Sequence, residues 1–116
     1  MNPLVAAITL KALDGLSTRA SVSAENIANA NTAGYQARRV TFEQALAEAA
    51  QKGLSGVAAV KPSIGVDPTR ATLGAEGSRL DLDLADSAGT AGRYGALIEI
   101  LNRQLQLNDL VLTEIR

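Results

Sequence analysis

The sequence contains no cysteine and no histidine among its 116 residues. The absence of cysteine excludes disulfide bonds and thiol chemistry, and the absence of both residues excludes the usual zinc sites. Histidine is also the most common general acid or base near neutral pH. Thiol-dependent and histidine-dependent enzymes are therefore excluded, and no serine has an imidazole that would activate it as a nucleophile.

Aromatic side chains are scarce, at 3% of the sequence, although 47% of the residues are hydrophobic. The chain therefore lacks the large rings that supply much of the buried area in most cores. A short chain also buries a smaller share of its surface than a long one. We expect a chain that completes its apolar packing with partners.

The charges are balanced, with 11 basic and 12 acidic residues and a formal net charge of −1. This composition gives no electrostatic footprint for nucleic acid or for an anionic membrane surface. No apolar run approaches the roughly 18 residues of a transmembrane helix, so no membrane insertion is predicted. A basic region is missing before the first apolar run, and a cleaved signal peptide is therefore not expected.

Two long helices are predicted at the ends of the chain, over residues 3–30 and 90–116. Pro3 suits a first helical turn behind an Asn2 cap. In each segment the small or apolar positions alternate in steps of four and three, which predicts a heptad seam. The first seam comprises Ala6, Leu10, Leu13, Ser17, Ala20, Ala24 and Ile27, and the second comprises Tyr94, Ile98, Leu101, Leu105, Asn108, Leu112 and Ile115.

The connecting region has a different composition. Thr41 and Gln44 resemble a capping box at the start of a short helix that ends near Lys52. Residues 53–79 are rich in Gly and Pro, which predicts a flexible loop with brief strands at 57–60 and 64–66. Residues 80–84 alternate Leu and Asp, which favours either a short strand or an extended lead into the last helix.

The predicted fold is therefore mainly α. Two long terminal helices pair as a coiled-coil-like hairpin, joined by a short helix and a Gly/Pro-rich loop with at most minor β structure. We divide the single structural unit into residues 1–52, 53–79 and 80–116. Gly15 lowers the helix propensity of the first segment, so that helix should be stable only when it is packed.

Three carboxylates, Asp81, Asp83 and Asp86, allow two interpretations. They could bind a divalent cation, but their spacing lacks the Asn, Gly and Glu pattern of a calcium loop. The alternative, solvated carboxylates near a helix N-terminus, agrees with the favourable interaction of negative charge with the helix dipole. We predict the second arrangement and therefore no metal site. Because the sequence also lacks His, Cys and a phosphate-binding glycine motif, we predict no cofactor and no enzymatic activity.

Asparagines cluster where the first helix should end. Asn26, Asn29 and Asn31 lead to Gly34, and asparagine and glycine favour helix ends and turns. Residues 35–40 should then run extended. The cluster either caps the helix only, or also forms hydrogen bonds with a neighbouring subunit.

The stretch from Ser23 to Tyr35, SAENIANANTAGY, closely resembles the N-terminal signature of flagellar rod, hook and related axial proteins. Within that family, residues 93–104 most resemble the proximal-rod branch, and the small size of the chain also points to it. The resemblance covers residues 5–52 and 80–116. The signature positions are Asn26, Ile27, Asn29, Asn31, Thr32, Gly34 and Tyr35.

The resemblance implies a structural subunit that is exported through the flagellar type III apparatus and assembles in the periplasm into the torque-transmitting rod of the basal body. Its partners would be copies of itself, other rod proteins, the MS-ring adaptor and the export gate. We expect the two seams to pack together. Asn108 either fixes their register, as a buried asparagine does in coiled coils, or lies at a wet, exposed position. The alternative is a soluble, non-catalytic helical adaptor of an export or motility apparatus.

Overall fold

The computed structural model describes residues 1–74 and 79–115. Two long helices, α1 (Pro3–Ala28) and α5 (Leu80–Ile115), pack together, which confirms the predicted fold class. Between them lie one two-stranded sheet and three short helices. In chain order these are β1 (Arg38–Thr41), α2 (Glu43–Ala50), α3 (Leu54–Ala58), β2 (Ser63–Val66) and α4 (Pro68–Ala71).

The start of α1 has the predicted cap. The Asn2 Oδ1 atom accepts a hydrogen bond from the Leu4 N–H at 2.7 Å, and Pro3 occupies the first helical position. The helix ends at Ala28, two residues before the predicted boundary, and Asn29 is its C-terminal cap. Local signals therefore define both ends of this helix.

Helix α5 begins at Leu80, about ten residues earlier than predicted. Both structures considered for residues 80–84, a short strand and an extended lead into the helix, are therefore wrong. Asp83 and Thr90 are the most buried residues of this helix. They lie seven residues apart, so both fall on one face. The Leu–Asp alternation therefore belongs to the first helical turns, in which Asp83 points inward.

The sheet pairs β1 with β2 in antiparallel register, with Arg38 opposite Val66 and Thr41 opposite Ser63. The capping box predicted at Thr41 is wrong, because Thr41 is the last residue of the strand. Phe42 occupies the cap position of α2 without a side-chain hydrogen bond, and the side chain of Gln44 donates to Glu48 instead.

Much of the segment predicted as a Gly/Pro-rich loop has regular structure. The strand predicted at 57–60 is wrong, because Val57 lies in α3 and is fully buried, whereas the strand predicted near 64–66 is confirmed as β2. Residues 75–78 of the predicted loop lie outside the described residues, as does Arg116.

A small apolar core surrounds Phe42, the only phenylalanine. Its buried members are Leu16, Val22, Val40, Phe42, Leu46 and Val57. A Cβ atom added to Gly15 would lie 2.5 Å from the Phe42 ring, a distance at which the ring would have to move. The Arg19 guanidinium lies 4.8 Å from the centre of the same ring, within cation–π range. Gly15 is therefore a packing residue, and its low helix propensity is offset by this contact.

The molecule is elongated, with principal extents of 63 × 27 × 14 Å. Helix α5 runs antiparallel to α1. The amino group of Met1 donates to Asn108 Oδ1 at 3.3 Å near one end, and Leu97 packs against the core farther along. The core therefore occupies only part of the length of the two helices.

Replacement of Gly15 by alanine should destabilise the protein. Overpacking against Phe42 costs about 1–3 kcal/mol, which exceeds the gain of at most ~1 kcal/mol in helix propensity. Gly92→Ala is the matched control, because Gly92 also lies within a helix and a Cβ there meets no atom within 4 Å. That variant should gain about 0.5–1 kcal/mol. Urea unfolding followed by circular dichroism measures both, and equal effects would contradict the packing role of Gly15.

Candidate assembly interface

The Asn26 side chain joins the end of α1 to the start of β1. Its Nδ2 atom donates to the Arg38 carbonyl oxygen at 2.8 Å, and its Oδ1 atom accepts from the Arg38 N–H at 3.0 Å. The same Oδ1 atom accepts from the Tyr35 hydroxyl at 2.8 Å. Asn26 is only 6% exposed. One amide therefore pairs with a residue of β1 much as a neighbouring strand would.

The turn between α1 and β1 is closed by its own residues. The Asn29 amide donates to the Glu25 carbonyl oxygen at 2.9 Å and accepts from the Thr32 hydroxyl at 3.2 Å. Gly34 has a φ of +78°, a backbone conformation that glycine adopts without strain. These contacts fold the chain back so that β1 lies beside α1.

The signature residues therefore divide into two groups. Asn26, Asn29, Thr32 and Tyr35 form hydrogen bonds of their side chains within the chain. Asn31 is exposed, and Ile27 is half-buried. Bonding to a neighbouring subunit stays a prediction for the exposed Asn31, whereas the amides of Asn26 and Asn29 bond within the chain.

The edge of β1 that faces α1 is covered by side chains of that helix. Asn26 bonds to Arg38, and an Arg19 Nη atom donates to the Val40 carbonyl oxygen at 2.7 Å. Arg19 also pairs with Glu43 at 2.6 Å. Partial burial opposes ionisation of Glu43, but the hydrogen bond and the charge of Arg19 hold its pKa below the ordinary value. Arg38 forms a further ion pair with Glu25.

A buried ion pair ties α4 to α5. Arg70 Nη1 and Asp83 Oδ1 are 2.6 Å apart, and the two side chains are 9% and 2% exposed. Asp67 and Asp86 flank the guanidinium at 4.0 and 3.8 Å. The prediction of solvated carboxylates is therefore wrong for Asp83.

Sequence inspection missed Arg70 as a partner of Asp83. A local signal for α4 was present, since Asp67 caps it by accepting from the Thr69 and Arg70 N–H groups and Pro68 occupies its first position. The contact with a carboxylate 13 residues away had no local signal. The sequence therefore indicates the short helix α4, but not the ion pair that Arg70 of this helix forms with Asp83.

The predicted seam of α1 is largely exposed in the single chain. Leu13 is buried and Ile27 half-buried, whereas Leu10, Ser17, Ala20 and Ala24 are exposed. The buried face of α1 carries Leu16, Val22 and Asn26 instead. The predicted stripe is thus mainly free surface on this chain.

The predicted seam of α5 shows the same division. Ile98 and Leu101 are half-buried, and the remaining members are exposed: Tyr94, Leu105, Asn108, Leu112 and Ile115. The face turned toward α1 and α4 includes Asp83, Thr90 and Leu97, each seven residues from the next. Hydrophobic periodicity does not detect that stripe, because two of its members are polar.

A groove lies along α1 between α3 and α5, and we call it the α1 groove. Its volume is about 570 Å³. The apolar part of its lining is formed by Ala7, Leu10, Leu13, Val57, Ala58 and Tyr94, and the polar part by Lys11, Asp14 and Ser17. An open apolar groove of this kind is suited to an amphipathic helix.

Within the described residues, no group of three or more His, Cys, Asp or Glu side chains could hold a metal ion. No helix in this part of the chain is long and apolar enough to cross a membrane.

Part of the chain matches the model of a known protein family. A model of the family described as flagella basal body rod protein matches residues 9–36. The matched segment comprises most of α1, its asparagine cap and the turn that leads to β1. A search of curated proteins finds no significant match. The family match covers 28 of the 116 residues, so it is a likeness over this segment.

Asn26→Ala should destabilise the protein by about 1–3 kcal/mol, because it leaves the partly buried N–H and carbonyl groups of Arg38 without their partners. Asn31→Ala is the matched control, since Asn31 lies in the same turn but is exposed, and it should leave stability nearly unchanged. Chemical unfolding measures both variants. A loss for Asn31→Ala as large as that for Asn26→Ala would contradict the assigned role of Asn26.

Asp83→Ala should cost about 3–5 kcal/mol, because it leaves the Arg70 guanidinium buried and unpaired. The double replacement Arg70→Met with Asp83→Leu should recover most of that loss, since apolar pairs often substitute for buried ion pairs. Asp81→Ala is the control, because Asp81 is exposed beside Arg79. Failure of the double variant to recover stability would show that Asp83 acts through another contact.

Proposed function

We propose that this chain is a structural subunit of a bacterial flagellar rod, of the proximal type that FlgB represents. The observation that carries the proposal is the position of the family match. Residues 9–36 coincide with the helix and turn that Asn26 anchors onto β1. The matched residues are therefore contiguous in the structure as well as in the sequence.

The exposed stripes support assembly through the terminal helices. Leu10 is 57% exposed, and the apolar residues of α5 beyond Leu101 are 53–76% exposed. Contiguous exposed apolar surface of this kind usually marks an interaction site. In the proposed rod, the stripes pack against neighbouring copies and other rod proteins.

The proposed route to the rod follows from the family. The subunit is exported through the flagellar type III apparatus without a cleaved signal peptide and assembles in the periplasmic space. Its neighbours at the rod base are the MS-ring adaptor and the export gate. The small core suits this route, because a chain with few buried contacts is easily unfolded for passage and gains stability on assembly.

One observation favours the alternative of a soluble helical adaptor. The Phe42 core and the Asn26 and Arg70 contacts hold the helical hairpin together within a single chain. An adaptor would need that independent stability. It would remain a monomer or a closed dimer, whereas a rod subunit forms open-ended assemblies.

Light scattering combined with circular dichroism over a wide concentration range distinguishes the two functions. A rod subunit should form particles that grow with concentration, with an increase in helicity. Leu101→Asp should prevent this growth, because an unpaired charge in an apolar contact is strongly disfavoured. Asn102→Asp, an exposed neighbour, is the matched control and should assemble normally. A closed monomer or dimer at every concentration would contradict the rod proposal and favour the adaptor.

A further inference from the structure

A polar cavity of about 350 Å³ lies between α1, β1 and α5, and we call it the arginine cavity. Its volume falls within the range of small-molecule sites. Five guanidinium side chains line it: Arg19, Arg38, Arg39, Arg70 and Arg93. Three carboxylates share the lining: Glu43, Asp67 and Asp86. What the cavity can bind therefore depends on which of these charges already have partners.

The interior of the arginine cavity carries two hydroxyl groups. Ser23 of α1 and Thr90 of α5 line the cavity and are 5% and 1% exposed. Neither hydroxyl forms a hydrogen bond with another described residue. In the described part of the chain, no side-chain oxygen is enclosed without a hydrogen-bond partner, so both oxygens border open space. That space is the arginine cavity, and both hydroxyls are therefore able to bind an occupant of it.

Most of the charges in the lining compensate one another. Three of the five arginines form ion pairs within the chain: Arg19 with Glu43, Arg38 with Glu25, and Arg70 with Asp83. The other two carboxylates of the lining, Asp67 and Asp86, lie 4.0 and 3.8 Å from the Arg70 guanidinium. Asp67 also accepts from the N–H groups that begin α4. The carboxylates of the lining are therefore concentrated at Arg19 and Arg70.

Arg39 and Arg93 have no such partner. Among the described residues, no carboxylate lies within ion-pairing distance of either guanidinium. Both side chains are exposed and belong to different elements, β1 and α5, at the border of the same cavity. Two like charges that border one cavity repel each other, and an anion placed between them replaces that repulsion by attraction. The donors of these two guanidiniums are therefore available to an anion.

We propose that the arginine cavity binds a small doubly charged oxyanion, such as phosphate. Arg39 and Arg93 bind the ion from the entrance, and the hydroxyls of Ser23 and Thr90 donate to it from the interior. Guanidinium groups match the oxygens of phosphate in pairs, and such charge-assisted hydrogen bonds are stronger than neutral ones. Two negative charges balance the two unpaired guanidiniums, whereas a carboxylate ligand supplies only one.

The bound ion links α1, β1 and α5. Because only the folded chain brings these donors together, binding stabilises the folded state over the unfolded one. The site belongs to a single chain, so the inference does not depend on the proposed rod function.

Titration with sodium phosphate near neutral pH, followed by nuclear magnetic resonance of the isotope-labelled chain, tests the site. Chloride is adjusted to keep the ionic strength constant. We expect saturable shifts of the backbone amide signals of residues that line the cavity. Arg39→Gln and Arg93→Gln should each weaken phosphate binding by roughly tenfold. Arg103→Gln is the matched control, because Arg103 is exposed on α5 outside the cavity, and this variant should bind phosphate like the natural chain.

The carboxylate of Asp86 provides a readout of opposite sign. Its side chain is 68% exposed and lines the cavity, so its charge repels the ion. Asp86→Asn removes that charge and leaves the ion pair of Arg70 with Asp83 intact. This variant should therefore bind phosphate more tightly than the natural chain.

Thr90→Val tests the interior of the site. Since the Thr90 hydroxyl has no partner among the described residues, its loss should change urea unfolding little when phosphate is absent. The affinity for phosphate should fall. Thr90→Ser keeps the hydroxyl and should retain most of the affinity, which a purely structural role of Thr90 does not explain.

The outcomes decide the proposal. Absence of saturable shifts would overturn the site and mean that water alone fills the cavity. Equal phosphate affinity of the natural chain and of both arginine variants would also overturn it, and acetate that binds as tightly as phosphate would overturn the choice of a doubly charged ligand. Arg39 and Arg93 are exposed, so their variants should keep the helicity of the natural chain. Particle growth is not involved in any of these measurements, so the rod proposal stands or falls separately.

Discussion

The fold depends on the amide of Asn26, which supplies one donor and one acceptor to the backbone of Arg38. This pairing holds β1 against α1 and satisfies the backbone groups of Arg38 that would otherwise need a further strand as partner. It also sets the direction in which the chain reaches Phe42, whose ring then lies against Gly15 and below Arg19. The chain has one phenylalanine, no tryptophan and two tyrosines. Because Tyr35 bonds to Asn26 and Tyr94 is 39% exposed, Phe42 supplies the aromatic ring of the core.

A core of this size limits what one chain can stabilise by itself. It secures the middle of α1 and the short elements between the long helices, whereas much of the apolar surface of α5 stays in water. Ordering a long helix costs conformational entropy at every residue, and burial of its apolar face is the main compensation. Contacts with neighbouring copies would supply that burial. The exposed leucines are therefore consistent with a chain that reaches full stability only in an assembly.

Features with local signals were predictable from the sequence, and features that depend on distant partners were not. The Asn2 cap, the end of α1 and the turn at Gly34 follow from residue types at neighbouring positions. The start of α5 was misplaced because Asp83 is buried only through Arg70, which is distant in sequence. Likewise, the prediction of a capping box at Thr41 was wrong because Thr41 pairs with Ser63 of β2 and so belongs to the strand. The cluster around Asn26 was recognised as a helix end, but its pairing with Arg38 was not foreseen.

The placement of polar residues explains why α5 behaves differently along its length. In its first half, Asp83 and Thr90 face the rest of the chain and are 2% and 1% exposed. Buried polar groups of this kind accept few alternative partners, because each needs a matching group at hydrogen-bonding distance. In its second half, leucine, valine and isoleucine predominate, and apolar contacts impose no such requirement. The first half of α5 therefore packs within its own chain through specific polar contacts. The second half exposes an apolar surface against which a neighbouring helix can pack.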